Sequence, residues 1–301
     1  MSLLVTGSIG LDTLETPAGK RDQVLGGSAI YFSYAASFFT PVRLVGVVGE
    51  DHPKSLFTLF EGREVDTGGI EVRKGSKTFR WHGSYLKDLN EAVTVEVDLN
   101  VLAERAPKIP GGFLDSKFIF LANTHPVLQQ EMLASLKSPR LVVADTMNLW
   151  IQTERPQLVK LLSKVHGFVL NDGEARLLTE EKNLIAAAKK VLKMGPKFVV
   201  IKKGEHGCLM VSDSGAFVLP AFPAEAVVDP TGAGDSFAGG MMGYLATQGG
   251  TISGATLKRA LAYGTVVASY TISDFSLEGI KRADRDQIDS RWHDFKTAMS
   301  F

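Results

Sequence analysis

Val227-Val228-Asp229-Pro230-Thr231-Gly232-Ala233-Gly234-Asp235 is the most informative stretch of this 301-residue chain. A β-branched apolar pair meets a Pro-Thr-Gly break. Beyond it Phe237, Ala238, Met241, Met242 and Leu245 recur three and four apart, the spacing of one helix face. The pattern predicts a strand, a glycine turn and a helix start. Such a turn leaves backbone N–H groups free at the positive end of a helix, where an anion binds. Gly232 and Gly234 carry no Cβ, so a ligand can come close to the backbone. Asp235 falls in the first helical turn. A carboxylate there can take the proton from a hydroxyl that attacks a phosphoryl group, or it can simply complement the helix dipole.

Working outward, the chain is long enough to bury about 75% of its unfolded surface. One large domain with a small appendage is expected. Its 33 basic and 33 acidic residues cancel, which argues against nucleic-acid or membrane-surface partners. A single cysteine, Cys208, leaves no disulfide framework and fits a reducing compartment. The first residues lack a basic region followed by a long apolar one, so no signal peptide is read. A cytoplasmic protein is expected. The six histidines are scattered without an H-E-x-x-H, against a zinc site.

Short apolar runs at 3–9, 43–48, 117–122, 141–144, 167–170 and 198–201 alternate with helical patterns at 29–39, 126–136, 156–165 and 184–194. Alternation of this kind predicts an α/β fold, a doubly wound and mostly parallel sheet flanked by helices. Ligands of such sheets bind at the carboxyl ends of strands, so Asp12, Asp145, Asn171, Gly204 and Asp229 are expected to converge on one edge. One region departs from the pattern. Residues 78–85 and 93–97 alternate, with Lys87-Asp88-Leu89-Asn90 between them, which reads as a hairpin carrying Phe79, Trp81 and Tyr85 on one face. Residues 10–25 and 70–98 are therefore expected to form a small β lid inserted in a single domain spanning 1–301.

The string ending in Gly232-Ala233-Gly234-Asp235 resembles the C-terminal signature D-T-x-G-A-G-D of the ribokinase-like (PfkB) carbohydrate kinases, with Pro230 where Thr is commoner. Three further segments are similar to family marks and appear in the family's order. They are Gly26-Gly27 before the first helix, Asn171-Asp172-Gly173-Glu174 as N-x-x-E, and Lys202-Lys203-Gly204-Glu205-His206-Gly207 as the nucleotide loop. No Walker A and no early G-x-G-x-x-G is present, so the two commonest alternative nucleotide motifs are missing.

The resemblance implies transfer of the γ-phosphoryl group of ATP to an alcohol of a sugar or sugar derivative, with Mg²⁺. A nucleoside kinase of the same fold is the alternative, and a catalytically silent binding protein is a third reading from another class. In the implied roles Asp235 is the base, and Gly232, Ala233 and Gly234 steady the transferring charge. Asp12, Gly26, Gly27 and Trp81 hold the acceptor. Lys202, Gly204, Gly207 and Thr231 meet the nucleotide. Asn171 and Glu174 organise Mg²⁺ through water, although the same pair at this spacing also reads as a helix-capping box. Asp229 is the candidate for a monovalent cation such as K⁺. Ile30-Tyr31 stands where many family members have Asn, and Asp274-Phe275 where Gly-Ala is usual. The segment 145–150 reads either as substrate contact or as support. A homodimer through the lid is expected, because a lone hairpin cannot bury the Phe79, Trp81 and Tyr85 face.

Overall fold

The computed structural model describes residues 2–249 and 252–300. Its strands are β1 (Leu3–Thr6), β2 (Gly10–Thr16), β3 (Gly19–Gly26), β4 (Val42–Gly49), β5 (Val65–Arg73), β6 (Phe79–Ser84) and β7 (Val93–Asp98). They continue as β8 (Phe118–Leu121), β9 (Leu141–Ala144), β10 (Gly167–Asn171), β11 (Phe198–Lys202), β12 (Cys208–Ser212) and β13 (Gly215–Leu219). Nine of them make one sheet in the order β13-β12-β11-β10-β9-β8-β1-β4-β5. Pairing is parallel from β5 to β11 and antiparallel only at the β11-β12-β13 edge.

The central strands are apolar on both sides because both sides are covered. Leu3, Val5, Phe118, Phe120, Val143 and Val200 face one core with the helices Ser28–Ala36, Ala233–Thr247 and Gly254–Thr271. Leu4, Ile119, Leu121, Val142, Phe168 and Ile201 face the other, with the helices Pro126–Ser135, Arg155–Leu162, Asp172–Thr179 and Leu184–Leu192. The doubly wound sheet expected from the alternating pattern is the one observed. The C-terminal helix Arg285–Ala298 buries Ile288 and Phe295.

The chain reverses direction across the sheet at β1, with β4 on one side and β8 on the other. Open α/β sheets bind ligands at the carboxyl ends of strands at such a switch point.

A second sheet, in the order β3-β2-β6-β7, stands apart from the first. Two antiparallel hairpins, β2-β3 and β6-β7, join through a parallel β2-β6 pairing. It is assembled from the two segments expected for it, with one difference. Residues 70–73 belong to the large sheet, where Ile70 to Arg73 pair with Gly46 to Gly49. The hairpin itself begins at Phe79.

The strand expected at Val227-Val228 is not formed. The Val228 N–H bonds to the Ile272 carbonyl at the end of the helix Gly254–Thr271. β13 ends the sheet on that side, and the segment pairs with a helix end and adds no further strand.

Candidate active site

A cavity of about 520 Å³ lies between the two sheets, over the carboxyl ends of β1, β8, β9, β10 and β11. Its wall carries Asp12 from β2, Trp81 from β6, Glu174, Lys202, and the turn residues Thr231, Gly232, Gly234 and Asp235. Ser8, Asn123, Asp145 and Asn171 complete the strand-end rim.

The turn at 230–234 is built as a helix N-terminus. Gly232 caps the helix Ala233–Thr247 with φ of 74°, a left-handed conformation that favours glycine. A Cβ on Gly232 would lie 2.3 Å from the Tyr31 ring. Tyr31, where the family resemblance pointed to Asn, thus underlies the turn. The side chain of Asp229 holds the turn from behind. Its two oxygens accept the N–H groups of Thr231 and Ser276, each at 2.9 Å. Asp229 is fully buried.

Asp235 projects from the first turn into the cavity. Burial pushes its carboxyl up to about 7, with the nearby Asp145 charge adding and Lys202 opposing. Asp12 is also raised to about 7 by burial, against a hydrogen bond from the Gly27 backbone. A Cβ on Gly26 would meet Asp12 Oδ2 at 2.0 Å, so this glycine makes room for the Asp12 carboxylate. Gly27, with φ of 97°, lets the chain turn over the Ser8 carbonyl, where a Cβ would fall 2.5 Å away.

Lys202 pairs with Asp145 at 3.3 Å. Burial opposes its charge, but Asp145, Glu174 and Asp235 outweigh it and hold the ammonium above its ordinary range. Its Nζ lies 2.8 Å from where a Cβ of Gly234 would sit, so ammonium and turn face the same point. Asn171 and Glu174 form a reciprocal capping box. Asn171 Oδ1 accepts the Glu174 N–H and Glu174 Oε2 accepts the Asn171 N–H, both at 2.7 Å. Among the described residues the hydrogen bond to the Glu174 carboxylate falls on Oε2, and the residue lies on the cavity wall. Burial raises the Glu174 carboxyl to about 8, with Lys202 opposing and Asp145 adding.

Among the described residues no group of three acidic, histidine or cysteine side chains can hold a metal alone. The donor set instead fits a hard cation held mainly by phosphate oxygens and water, with Glu174 and Asp145 as the carboxylates on that part of the cavity wall.

Not every expected residue reaches the cavity. Gly26, Asp229 and Ala233 support it from behind. Gly204 and Gly207, with φ of 52° and 77°, shape the turn into β12. A Cβ on Gly204 would meet Asn90 Oδ1 at 1.9 Å. Here the turn between β6 and β7 touches the large domain. Asn90 Oδ1 accepts the Glu205 N–H at 3.1 Å and its amide donates to Glu205 Oε1 at 3.2 Å. Asp145, left with two open roles by its sequence context, is the counter-ion of Lys202. Asn123 is a cavity residue that the sequence does not mark, and Tyr31 is marked only as a departure from the family pattern, whereas Tyr85 and Trp150 lie in segments already expected near the site. Phe79, Trp81 and Tyr85 do share a face, and that face is turned to the cavity.

A glycine turn at a helix N-terminus, a carboxylate in its first turn and a second carboxylate across the cavity suit a small-molecule phosphotransferase. The family comparison agrees, matching the pfkB family carbohydrate kinase model over residues 15–279. The chain belongs to this family, whose members phosphorylate an alcohol. It is 32% identical over 250 residues to a cytidine kinase of Thermococcus kodakarensis, covering 81% of this chain and 88% of that one. Among solved structures it resembles the nucleoside kinase of Burkholderia thailandensis in complex with inosine, with a TM-score of 0.77, 20% identity and 99% of each chain covered. It also resembles the aminoimidazole riboside kinase of Salmonella enterica, complexed with aminoimidazole riboside and an ATP analogue. There the TM-score is 0.79 at 16% identity, over 97% of this chain and all of that one. Among the described residues no helix is long and apolar enough to cross a membrane.

The raised Glu174 carboxyl has a consequence for stability. Its folded value, about 8, lies above the ordinary 4.5, so folding favours the protonated form. That contribution is complete below about pH 4.5 and is lost as pH rises through 8. Glu174→Gln keeps an oxygen for the Asn171 N–H and has no charge to bury. Without nucleotide, the variant is expected to melt a few degrees above wild type at pH 8 and level with it at pH 5, by calorimetry. The same variant is expected to need more Mg²⁺ for half-maximal rate. Equal melting at both pH values would remove the buried-charge argument.

Proposed function

We propose that the chain transfers the γ-phosphoryl group of ATP to an alcohol of a nucleoside, with Asp235 as the base. One observation carries the reading. Asp235 and Asp12, both held near neutrality, face a single cavity lined by the flat side chains of Trp81, Tyr85 and Trp150. The volume suits a small ligand and its phosphate donor, and the aromatics suit a planar base. The similarity to a cytidine kinase over most of both chains supports a nucleoside acceptor over a free sugar.

In this reading Asp12 accepts hydrogen bonds from acceptor hydroxyls. Asp235 removes the proton from the attacking hydroxyl. The N–H groups of Gly232 and Gly234 serve the charge that passes, each worth roughly 3–4 kcal/mol by analogy with oxyanion donors, while the Ala233 N–H, expected to join them, is engaged by the Pro230 carbonyl at 3.1 Å. Lys202, steadied by Asp145, meets the phosphates beside Gly234. Mg²⁺, when bound with the nucleotide, offsets phosphate charge, and Glu174 Oε1 is the oxygen available to its water shell. Asp229 holds the turn through the Thr231 and Ser276 N–H groups, and its remaining lone pairs are the ones a monovalent cation would use.

The small sheet serves as a lid. Trp81 and Tyr85 cover the cavity and exclude water that would otherwise accept the phosphoryl group. Closure orders the hairpin, so amide exchange across 79–98 is expected to slow when acceptor is added. Equal exchange with and without acceptor would leave a fixed hairpin.

Two copies pair through the outer edge of this sheet. β7 is exposed along its whole length, with Val93 and Val95 about half exposed on an edge strand, and such edges call for cover. Light scattering is expected to give a dimer that Val95→Asp converts to monomer. A monomeric wild type at micromolar concentration rejects the pairing.

The deciding experiment is ADP release over a panel of cytidine, uridine, inosine, adenosine, ribose and fructose 6-phosphate. Turnover is expected with at least one nucleoside. Turnover confined to sugars would replace the nucleoside reading, and silence across the panel would reject the kinase reading itself.

A further inference from the structure

Asn123 follows β8 and Trp150 lies in the short helix Asn148–Thr153 after β9, so the two stand side by side at adjacent strand ends. The Trp150 indole N–H lies 3.0 Å from Asn123 Oδ1. An indole N–H can only donate, so chemistry alone requires the carboxamide oxygen to face it. The amide is thereby locked with its NH₂ turned the other way. The contact made by that NH₂ is with Met147 Sδ at 3.1 Å, a weak acceptor. Asn123, Met147 and Trp150 all line the cavity. The Asn123 backbone is pinned as well, its carbonyl accepting from Ser28 Oγ at 3.2 Å. The His125 ring packs edge-on against Trp150 at 5.0 Å, which limits rotation of the indole.

The geometry points to Asn123 as a donor-only reader of the acceptor, with Trp150 as the positioning residue that sets its polarity. The group it receives is a hydrogen-bond acceptor of the nucleoside, a carbonyl oxygen or an unprotonated ring nitrogen of the base, which takes over the N–H now turned to Met147 Sδ. A base edge offering N–H at that point would set two donors against each other and leave both unpaired. This inference rests on the nucleoside reading above.

An isosteric swap tests it. Asn123→Asp keeps an oxygen for the Trp150 N–H and replaces the cavity-facing NH₂ with a second oxygen. With the best nucleoside of the panel at pH 8, KM for that nucleoside is expected to rise roughly ten- to hundredfold. KM for ATP stays within about twofold, because the pair does not touch the turn at Gly232–Asp235. Trp150→Phe removes the lock but not the reader, and nucleoside KM is expected to rise about three- to tenfold with kcat nearly kept. An unchanged or lowered nucleoside KM in Asn123→Asp overturns the donor-only assignment. A raised KM in Asn123→Asp with an unchanged one in Trp150→Phe overturns the positioning role of Trp150. If the wild type turns over sugars alone, the nucleoside reading fails first and the base partner assigned here falls with it.

Discussion

Asp235→Asn is expected to fold and bind ATP normally while losing about 10²–10⁴-fold in turnover, the range for a removed general base. The amide keeps the shape of the side chain and cannot accept the proton. The pH profile gives a second readout. The Asp235 carboxyl is held near 7 by burial, and only its ionised form is a base. Wild-type kcat/KM is therefore expected to climb about tenfold per pH unit below 7 and flatten above it. The residual activity of the variant should lose the Asp235 limb and keep only the shallower dependence that Asp12, also near 7, imposes on acceptor binding. The folded value is raised, so ionising Asp235 also destabilises the free enzyme as pH passes 7. The variant should then melt at or above wild type at pH 8. Near-normal kcat in the folded variant would remove Asp235 from the chemistry.

Gly232→Ala is expected to lose both stability and activity. At φ of 74° any other residue is strained, and the new Cβ would press into the Tyr31 ring 2.3 Å away. Strain costs about 1–2 kcal/mol and overpacking about 1–3 more. The turn must then move, and a shift near 1 Å in a catalytic group is enough to cost about 10²-fold in rate. Gly62→Ala separates the two effects. Gly62 has nearly the same φ, 76°, but no atom within 4 Å of its would-be Cβ. That variant should show the backbone cost alone and full activity. Comparable kcat in the two variants would mean that the fit of the turn over Tyr31 does not matter for phosphoryl transfer.

Gly232 and Asp235 were legible because their constraint is local. A left-handed cap, a helix start and a first-turn carboxylate occupy consecutive residues, so the string itself carries the geometry. The same holds for Asn171 and Glu174, whose capping box spans three residues. Val227-Val228 was misread for the opposite reason. Two β-branched residues report a preference for extended backbone, but a strand also needs a partner strand. The Val228 N–H is taken instead by the Ile272 carbonyl at a helix end.

By itself, then, the sequence determined the parallel α/β sheet, the glycine turn at a helix start with Asp235 in its first turn, and the small second sheet. Period, glycine placement and charge act over a few residues and survive in any context. The tertiary structure alone decided which distant groups meet. Asp145 neutralises Lys202 across 57 residues, Asn90 docks on Glu205 across 115, and Trp150 orients Asn123 across 27. It also pushed Asp12, Glu174 and Asp235 toward neutral pH, because desolvation depends on what packs around a carboxylate and not on its neighbours in the chain.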